Sequence, residues 1–158
     1  STIVRQSLDE MQKHLSEDLV AGFRARGLDV FQALILASIV LKETGEPQTA
    51  AQVAQVFYKR LAQNMPLQSD PTAFYAADVA GVPRSLSIDS LYNTYLHPGL
   101  PPGPISNTNI IALRAVAQPA NTDYLYFVAG DDGTVHFSNT REEHEEATRK
   151  YCTTACGR

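Results

Sequence analysis

The feature that most constrains the fold is a nearly unbroken apolar run, FQALILASIVLKE, over residues 31–43. Asp29 precedes the run and Gln32 follows three residues later, a pattern typical of a capping box at a helix start. The helix is expected to end near Thr44, because Pro47 cannot continue it. Since a helix that is apolar on nearly every side lies inside a domain, we expect this one in the middle of the core. The run is shorter than the ~20 apolar residues that a membrane span needs.

Amphipathic patterns predict further helices around the central one. Residues 3–26 carry apolar side chains at three- and four-residue steps, and Gly27 suits the C-terminal cap. Residues 49–63 repeat this pattern, and a shorter helix is expected over 108–118. Thr140 opens a last, highly charged helix and has a glutamate three residues later as its capping partner.

Two regions are expected to be largely non-helical. Residues 64–107 hold most of the prolines and predict a long loop region with one short helix near 87–92. Residues 124–129 and 134–138 are rich in β-forming side chains, and the GDDG between them favours a β-hairpin. The sequence therefore predicts a mostly helical α+β domain with one small β-hairpin.

Length, charge and cysteine content limit the possible functions. The 158 residues are expected to form one domain, since domains commonly contain ~100–200 residues. Thirteen basic and 17 acidic residues give a net charge of −4, which argues against nucleic-acid or anionic-lipid binding. Cys152 and Cys156 are too few ligands for a metal site. They fit a short disulfide or two inert thiols, and the sequence leaves that choice open.

Glu43 is the candidate catalytic residue because it is an ionisable group at the end of the most apolar helix. Ile39 and Val40 precede it by four and three residues and therefore share its side of the helix. Burial among them would raise the pKa of the carboxyl group. A carboxylic acid that stays protonated near neutral pH can act as the general acid in glycosidic-bond cleavage. The alternative is an exposed residue of the last turn, or one that pairs with Lys42 or Arg60.

The proline-rich segments add candidate ligand-binding groups. Residues 65–72, 92–95 and 99–107 combine many side-chain donors and acceptors with prolines that restrict the backbone. Such segments suit a hydroxyl-rich ligand. Ordinary turn chemistry is the alternative, because Asp-Pro and Pro-Gly pairs mark turns in many proteins.

Six motifs in order along the chain resemble those of one bacterial family. They are ASIVLKETG (37–45), VFYKRL (56–61), MPLQSDPT (65–72), YNTY (92–95), GLPPGPISN (99–107) and DYLYFVA (123–129). With these motifs the chain resembles the MltG/YceG-like endolytic transglycosylases of bacterial cell walls, over residues from about 30 to 151. Each motif alone is weakly specific, whereas six in the family's order and spacing are strongly so.

The resemblance implies a fold, an activity and a location. It implies a catalytic domain related to lysozyme-like transglycosylases, which cleaves peptidoglycan between N-acetylmuramic acid and N-acetylglucosamine and leaves a 1,6-anhydromuramic end. It implies extracytoplasmic action in the cell envelope, peptidoglycan strands and peptidoglycan synthases as partners, and no metal or organic cofactor. Family members carry a membrane anchor and a LysM-like subdomain. We expect residues 1–158 to be the catalytic domain alone, a fragment that begins at Ser1 without those parts.

The resemblance also assigns residues, and the chain departs from the family at several of them. The family motif ASI-x-E-K-E-T contains two glutamates, of which the second, catalytic one falls on Glu43 and the first on Leu41. Three other departures are Thr49, Lys59 and Val135. His136 lies one place beyond the family's strand histidine and would face the other side of the strand, so we expect a structural role. His144 matches a family position, where packing or capping is expected.

The candidate substrate-binding residues come from the loop motifs. They are Gln68, Ser69, Asp70, Asn93 and Tyr95. Asp70 is the one possible second carboxylate, although the proline after it suggests a turn role. Ser38 is expected to bond a buried backbone carbonyl instead of the sugar.

Three functional hypotheses follow from the residues and the resemblance. The first is a lytic transglycosylase in which Glu43 acts first as acid and then as base. The second is a muramidase that uses water. The third is an inactive glycan-binding or scaffolding module of the cell-wall machinery, to which the loss of a glutamate at Leu41 lends support.

Overall fold

In the part of the chain that the structure describes, the fold consists of six helices and one two-stranded antiparallel sheet. The structure is a computed structural model that describes residues 15–154 of the chain. In chain order the elements are α1 (Glu17–Ala25), α2 (Val30–Glu43), α3 (Pro47–Ala62), α4 (Asp70–Ala80), α5 (Ile110–Ala117), β1 (Tyr126–Ala129), β2 (Val135–Ser138) and α6 (Arg141–Tyr151). The predicted α+β class, mostly helical with one small hairpin, is confirmed.

Helix α2 is buried in the core as its apolar sequence predicts. Asp29 and Gln32 form the expected capping box, and seven of the 14 residues of α2 are buried. Helix α5 packs against α1, α2 and α3, so the core lies between α2, α5 and the inner faces of their neighbours. The Ser38 hydroxyl donates to the Ile35 carbonyl at 2.7 Å and accepts from the Ile105 amide at 3.0 Å. The prediction for Ser38 is therefore confirmed, and the bond to Ile105 attaches the 99–107 loop to α2.

The prediction of one long loop over residues 64–107 is wrong in part. Helix α4 begins at Asp70 inside this region and ends at Ala80, followed by Gly81 as its cap with a left-handed φ of 68°. No helix forms near 87–92, where the chain makes turns instead. The error came from interpreting Asp70-Pro71 as a turn. Proline is also accepted in the first turn of a helix, where its missing N–H has no partner to lose, and it takes that role here.

Other helix boundaries shift by a few residues. Helix α1 begins at Glu17, with Ser16 as its cap, and the earlier part of the helix predicted over 3–26 lies outside the described residues. Helix α3 begins at Pro47 and not at 49, because the Glu46 carboxylate caps it and Pro47 fits its first turn.

The hairpin and α6 form a second layer beside the helical core. Strands β1 and β2 pair with Phe127 opposite Phe137 and Val128 opposite His136, and α6 packs on both strands. Thr140 caps α6 with the predicted capping box. Cys152, directly after α6, is disulfide-bonded, which resolves the choice that the sequence left open. The chain's one other cysteine, Cys156, lies outside the described residues. Among the helices described, none is both long and apolar enough to cross a membrane.

Gly22 allows α1 to approach α5 closely, which leads to a stability prediction. A Cβ at Gly22 would lie 2.8 Å from both the Cβ and the carbonyl oxygen of Ala117. Alanine favours a helix interior by about 1 kcal/mol over glycine, but overpacking a core contact costs about 1–3 kcal/mol. We therefore expect Gly22→Ala to lower the free energy of unfolding by about 1 kcal/mol, measured by urea denaturation.

Gly45→Ala is the matched control for Gly22→Ala. A Cβ at Gly45 meets no heavy atom within 4 Å, so the same substitution there should leave stability nearly unchanged. A Gly22→Ala variant as stable as the Gly45→Ala variant would show that α1 can move away from α5 at no cost.

Candidate active site

A cavity of about 500 Å³ opens where the C-terminal end of α2 meets α3, β1 and α6. Its polar lining residues include Glu43, Arg60, Gln68, Asp70, Tyr95 and His144. Residues 127–129 of β1 supply an apolar wall opposite them. The fold therefore brings four residues of the sequence-predicted set, from three separate segments, into one cavity together with two others.

Glu43 projects into this cavity from the last turn of α2 as a half-buried residue. Its Oε1 accepts a hydrogen bond from the Ser69 hydroxyl at 2.5 Å, and no lysine or arginine of the described chain forms an ion pair with it. Burial raises the pKa of Glu43 to about 7, despite the opposing effects of the Ser69 bond and the Arg60 charge. The negative charge of Asp70 adds to the rise. Near neutral pH this carboxyl can both donate and accept a proton.

Ser69 is held in place by a network of threonines that the sequence did not predict. Its backbone amide donates to the Thr94 hydroxyl at 3.1 Å, and its carbonyl accepts from the Thr72 hydroxyl at 2.7 Å. The two threonine hydroxyls lie 2.8 Å apart, and all three residues are buried. This network fixes the Ser69 hydroxyl against Glu43. Ser69 therefore acts on the carboxyl and does not itself line the cavity.

Asp70 and Tyr95 form a pair on the cavity wall. The Tyr95 hydroxyl donates to Asp70 Oδ1 at 2.5 Å, and both residues line the cavity. Asp70 is the first residue of α4, so its expected turn role is wrong. Next to it, Gln68 adopts a left-handed φ of 53°, which costs energy for a residue with a Cβ. Its Oε1 accepts from Arg60 Nη1 at 3.3 Å, and its side chain is exposed at the cavity.

Asn93 lies outside the cavity lining and is fully buried. Its amide nitrogen donates to the carbonyls of Leu86 and Ile88, and its oxygen accepts from the Tyr95 amide at 3.0 Å. These bonds occupy both the nitrogen and the oxygen of its side-chain amide. Asn93 therefore holds the loop that carries Tyr95, and its buried position does not favour direct contact with a ligand.

Arg60 and His144 line the cavity, a location that the sequence did not predict for either residue. The sequence offers Arg60 only as an ion-pair partner of Glu43, yet it lies buried in the cavity wall, where its charge affects the pKa of both Glu43 and His144. His144 has the packing role expected of it and also lines the cavity. Its ring stacks on Tyr126 at 5.4 Å, and burial with the nearby Arg60 charge lowers its pKa. Two sequence features could have indicated these residues as parts of the site. Arg60 lies inside the VFYKRL motif, and His144 occupies a position that matches the family.

The family departures occupy local structural positions in this chain. Leu41 packs against the hydrophobic core as a half-buried side chain, which explains an apolar residue there. Thr49 donates to the Glu46 carboxylate in the cap of α3, and Lys59 Nζ donates to the Asp123 carbonyl at 2.6 Å. Val135 pairs with Ala129 at the end of the hairpin. Each of the four departures fits its surroundings through local packing or hydrogen bonding, and the cavity around Glu43 is present alongside them.

A larger cavity of about 660 Å³ lies on the opposite side of the hairpin and α6. Its lining includes Tyr124, His136 and Tyr151, where the His136 ring stacks on Tyr151 at 3.7 Å and bonds Asp132 at 3.0 Å. These contacts give His136 a structural position. Because the two carboxyl groups that line this larger space, those of Glu143 and Glu146, are exposed, the smaller cavity around Glu43 is the candidate active site.

Removing the Ser69 hydroxyl should change the titration of Glu43. The hydrogen bond from Ser69 favours the charged carboxylate, so Ser69→Ala is expected to raise the Glu43 pKa above its value of about 7. Carbon-13 NMR of side-chain-labelled glutamate would measure the shift. Ser87→Ala, which removes an exposed hydroxyl, should leave the titration unchanged. A Glu43 titration that is the same in both variants would contradict the bond.

Comparisons with known proteins agree on one family. The sequence profile described as the YceG-like family matches residues 1–150. The chain is 38% identical over 152 residues to the endolytic murein transglycosylase of Bacillus subtilis, covering 94% of this chain and 41% of that protein. It is 34% identical over 157 residues to the endolytic murein transglycosylase of Streptococcus pneumoniae, covering 92% of this chain and 28% of that protein. The chain thus spans less than half the length of these relatives.

A solved structure supports the same relationship. The crystal structure of a yceG-like protein from Listeria monocytogenes superposes with a TM-score of 0.71 at 42% sequence identity. The match covers 80% of this chain and 42% of that one. At 42% identity the two proteins are similar in both sequence and fold.

Proposed function

Because the chain belongs to the YceG-like family, we propose that it is an endolytic peptidoglycan lytic transglycosylase with Glu43 as its catalytic acid. The two relatives named endolytic murein transglycosylase support this activity. The observation that carries the proposal is the Glu43 carboxyl, which opens onto the cavity with a pKa of about 7. Such a group is protonated in a large fraction of molecules near neutral pH, as a general acid must be.

The proposed reaction uses Glu43 twice. The protonated carboxyl donates its proton to the oxygen of the bond between N-acetylmuramic acid and N-acetylglucosamine, which then breaks. The N-acetyl carbonyl of the muramic acid stabilises the positive charge that develops at C1. Glu43, now a carboxylate, takes the proton of the C6 hydroxyl as its oxygen closes onto C1. The product ends in 1,6-anhydromuramic acid, and Glu43 is protonated again.

The cavity walls favour ring closure over attack by water. Residues Phe127 and Val128 form an apolar wall facing the polar groups, and Leu67 is buried beside them. Exclusion of water from such a site limits competing hydrolysis. Gln68, Asp70 and Tyr95 are proposed to hold the glycan, with Ser69 and Asn93 positioning the Glu43 carboxyl and Tyr95.

A water-using muramidase is the second candidate, and one observation favours it. Asp70 lines the same cavity and is close enough to raise the Glu43 pKa. A carboxylate across the sugar could activate water or act as a nucleophile, as two-carboxylate glycosidases do. The Tyr95 hydroxyl bonded to Asp70 argues for a binding role instead. The third hypothesis, an inactive scaffold, gives no reason for a protonated Glu43 at the cavity.

Mass spectrometry of soluble products separates these candidates. Purified sacculi would be incubated with the protein, with its Asp70→Asn and Glu43→Gln variants, and without enzyme, and the protein that sediments with the sacculi would be measured as well. The transglycosylase predicts anhydro-ended fragments from the wild type and from Asp70→Asn alike. Reducing-end fragments that disappear in Asp70→Asn would establish the muramidase. Strands bound without scission, by wild type and Glu43→Gln equally, would establish the scaffold.

We place the reaction outside the cytoplasm at the cell wall, because both relatives are named for murein. Peptidoglycan strands are the proposed partner, and residues 1–158 the proposed catalytic domain. Peptidoglycan synthases and a membrane anchor are proposed on the family resemblance alone. The proposed chemistry uses no metal or organic cofactor.

A further inference from the structure

Arg60 is a buried cation whose guanidinium is only partly used by the protein. The residue is 5% exposed. Its Nε donates to the Leu125 carbonyl at 2.9 Å, and its Nη1 donates to the Leu67 carbonyl at 2.8 Å and to Gln68 Oε1 at 3.3 Å. A weaker bond joins Nη1 to the Pro66 carbonyl at 3.3 Å. These bonds fix the plane and direction of the guanidinium.

The second terminal nitrogen, Nη2, has a different environment. No acceptor in residues 15–154 bonds to it, and it is not among the unpartnered polar atoms sealed from solvent. Since Arg60 lines the 500 Å³ cavity, its small exposed surface faces that cavity. Nη2 is therefore a rigidly held donor that points to where the glycan would lie.

The charge of Arg60 is not matched by an ion pair. No Asp or Glu of the described chain lies within ion-pair distance of it, and the contacts that surround it are neutral carbonyls, an amide and the ring of Tyr126 at 5.2 Å. Burial without a partner is costly for a charged group. A guanidinium binds a carboxylate oxygen more strongly than any other ligand group of a glycan.

We propose that Arg60 forms a subsite for the carboxyl group of the lactyl substituent on muramic acid, with Nη2 donating to one of its oxygens. This inference rests on the proposed function. The lactyl group is attached to the sugar whose C1 carries the scissile bond, and it distinguishes muramic acid from N-acetylglucosamine. Its carboxyl group is free in strands without stem peptides and is an amide in strands that carry them. The free carboxylate should bind more tightly because it also pairs with the charge.

His144 supports this assignment as the neighbouring wall of the subsite. Its pKa is lowered by burial and by Arg60, so its imidazole is neutral near pH 7 and Arg60 is the cation there. Its Nδ1 is buried without a partner and sealed from the cavity, so His144 contributes its neutral ring as a wall and not a hydrogen bond from that nitrogen. Both residues flank Tyr126, whose ring contacts the guanidinium and the imidazole.

Binding of four matched tetrasaccharides to the uncleaving Glu43→Gln protein tests the proposal. The first two contain alternating muramic acid. One of them has free lactyl carboxylates, and the other has lactyl groups in amide linkage to stem peptides. The third has the carboxyl groups reduced to alcohols, and the fourth contains N-acetylglucosamine alone. Calorimetry should rank the carboxylate first and the amide second, with the alcohol and the last sugar weaker than the carboxylate by about tenfold or more. Arg60→Gln in the same background removes the charge and should bring all four within a few-fold, and Arg149→Gln, exposed on α6, should preserve the ranking.

The outcomes distinguish this proposal from the proposed function. Equal binding of all four sugars, or a ranking that survives Arg60→Gln, would overturn the subsite and leave the transglycosylase intact. No binding of any sugar would contradict both. Should Arg60→Gln fail to fold, the side-chain Nε–H NMR signal of Arg60 gives the answer without it. That signal should move with the carboxylate sugar and stay in place with the alcohol, and the reverse would overturn the proposal.

Discussion

Replacing Glu43 by glutamine should reduce the rate of glycan strand scission by about a thousandfold, because general acid catalysis contributes about 10²–10⁴-fold. Glutamine keeps the size of the side chain and can still accept the Ser69 hydrogen bond, but its amide is not acidic enough to protonate the glycosidic oxygen. The loss should fall on kcat, with binding of the glycan little changed. Initial rates of release of soluble fragments from labelled sacculi, measured at several substrate concentrations, separate the two quantities.

Glu142→Gln is the control for this loss. Glu142 lies exposed in the first turn of α6, away from the cavity lining, so the same chemical change there should leave the rate unaltered. Scission that continues at the wild-type rate in Glu43→Gln would remove Glu43 from the mechanism and direct attention to Asp70.

The same substitution should stabilise the fold at alkaline pH. The Glu43 pKa rises from its ordinary value of 4.5 to about 7 on folding, so the folded state favours the protonated form. The stability that this provides is fully present below pH 4.5 and is lost as the pH rises through about 7. Above that range the ionised carboxylate costs the folded wild type about 3 kcal/mol, a cost that the neutral amide of the Glu43→Gln variant does not incur.

Urea denaturation at two pH values measures this effect. Glu43→Gln should be more stable than the wild type by about 3 kcal/mol near pH 8.5, with the advantage absent near pH 4. Glu142→Gln should show no such pH-dependent gain. A Glu43→Gln variant that is no more stable than the wild type at alkaline pH would mean that burial of the ionised Glu43 carboxylate does not destabilise the folded state. A stability gain combined with lost catalysis is the usual sign of a functional site.

The helical core follows from local sequence signals because each signal has a local physical cause. Asp29 with Gln32, and Thr140 with Glu143, satisfy free amides at helix starts, and those bonds do not depend on distant contacts. The apolar α2 must be buried wherever the other helices lie. Pro71 shows the limit of this reasoning, because a proline after Asp fits a turn and a first helical turn equally well.

The site was only partly predictable for a different reason. Glu43 could be found because a carboxyl group on an apolar helix is a local anomaly. The roles of Thr72, Thr94 and Arg60 depend on which segments meet in space, and a single sequence does not encode those meetings in any local pattern. Asn93 shows the converse, since a polar residue inside a motif can serve the loop and not the ligand.

Titration of the Glu43 carboxyl group tests the central claim most directly. Carbon-13 NMR of protein labelled at the glutamate Cδ would follow every carboxyl group from about pH 3 to pH 9, with Glu43→Gln identifying the signal that belongs to Glu43. We expect that signal to titrate with a pKa of about 7, as its burial in the cavity requires. A pKa near the ordinary 4.5 would mean that Glu43 is ionised at neutral pH, and it would contradict the assignment of Glu43 as the proton donor.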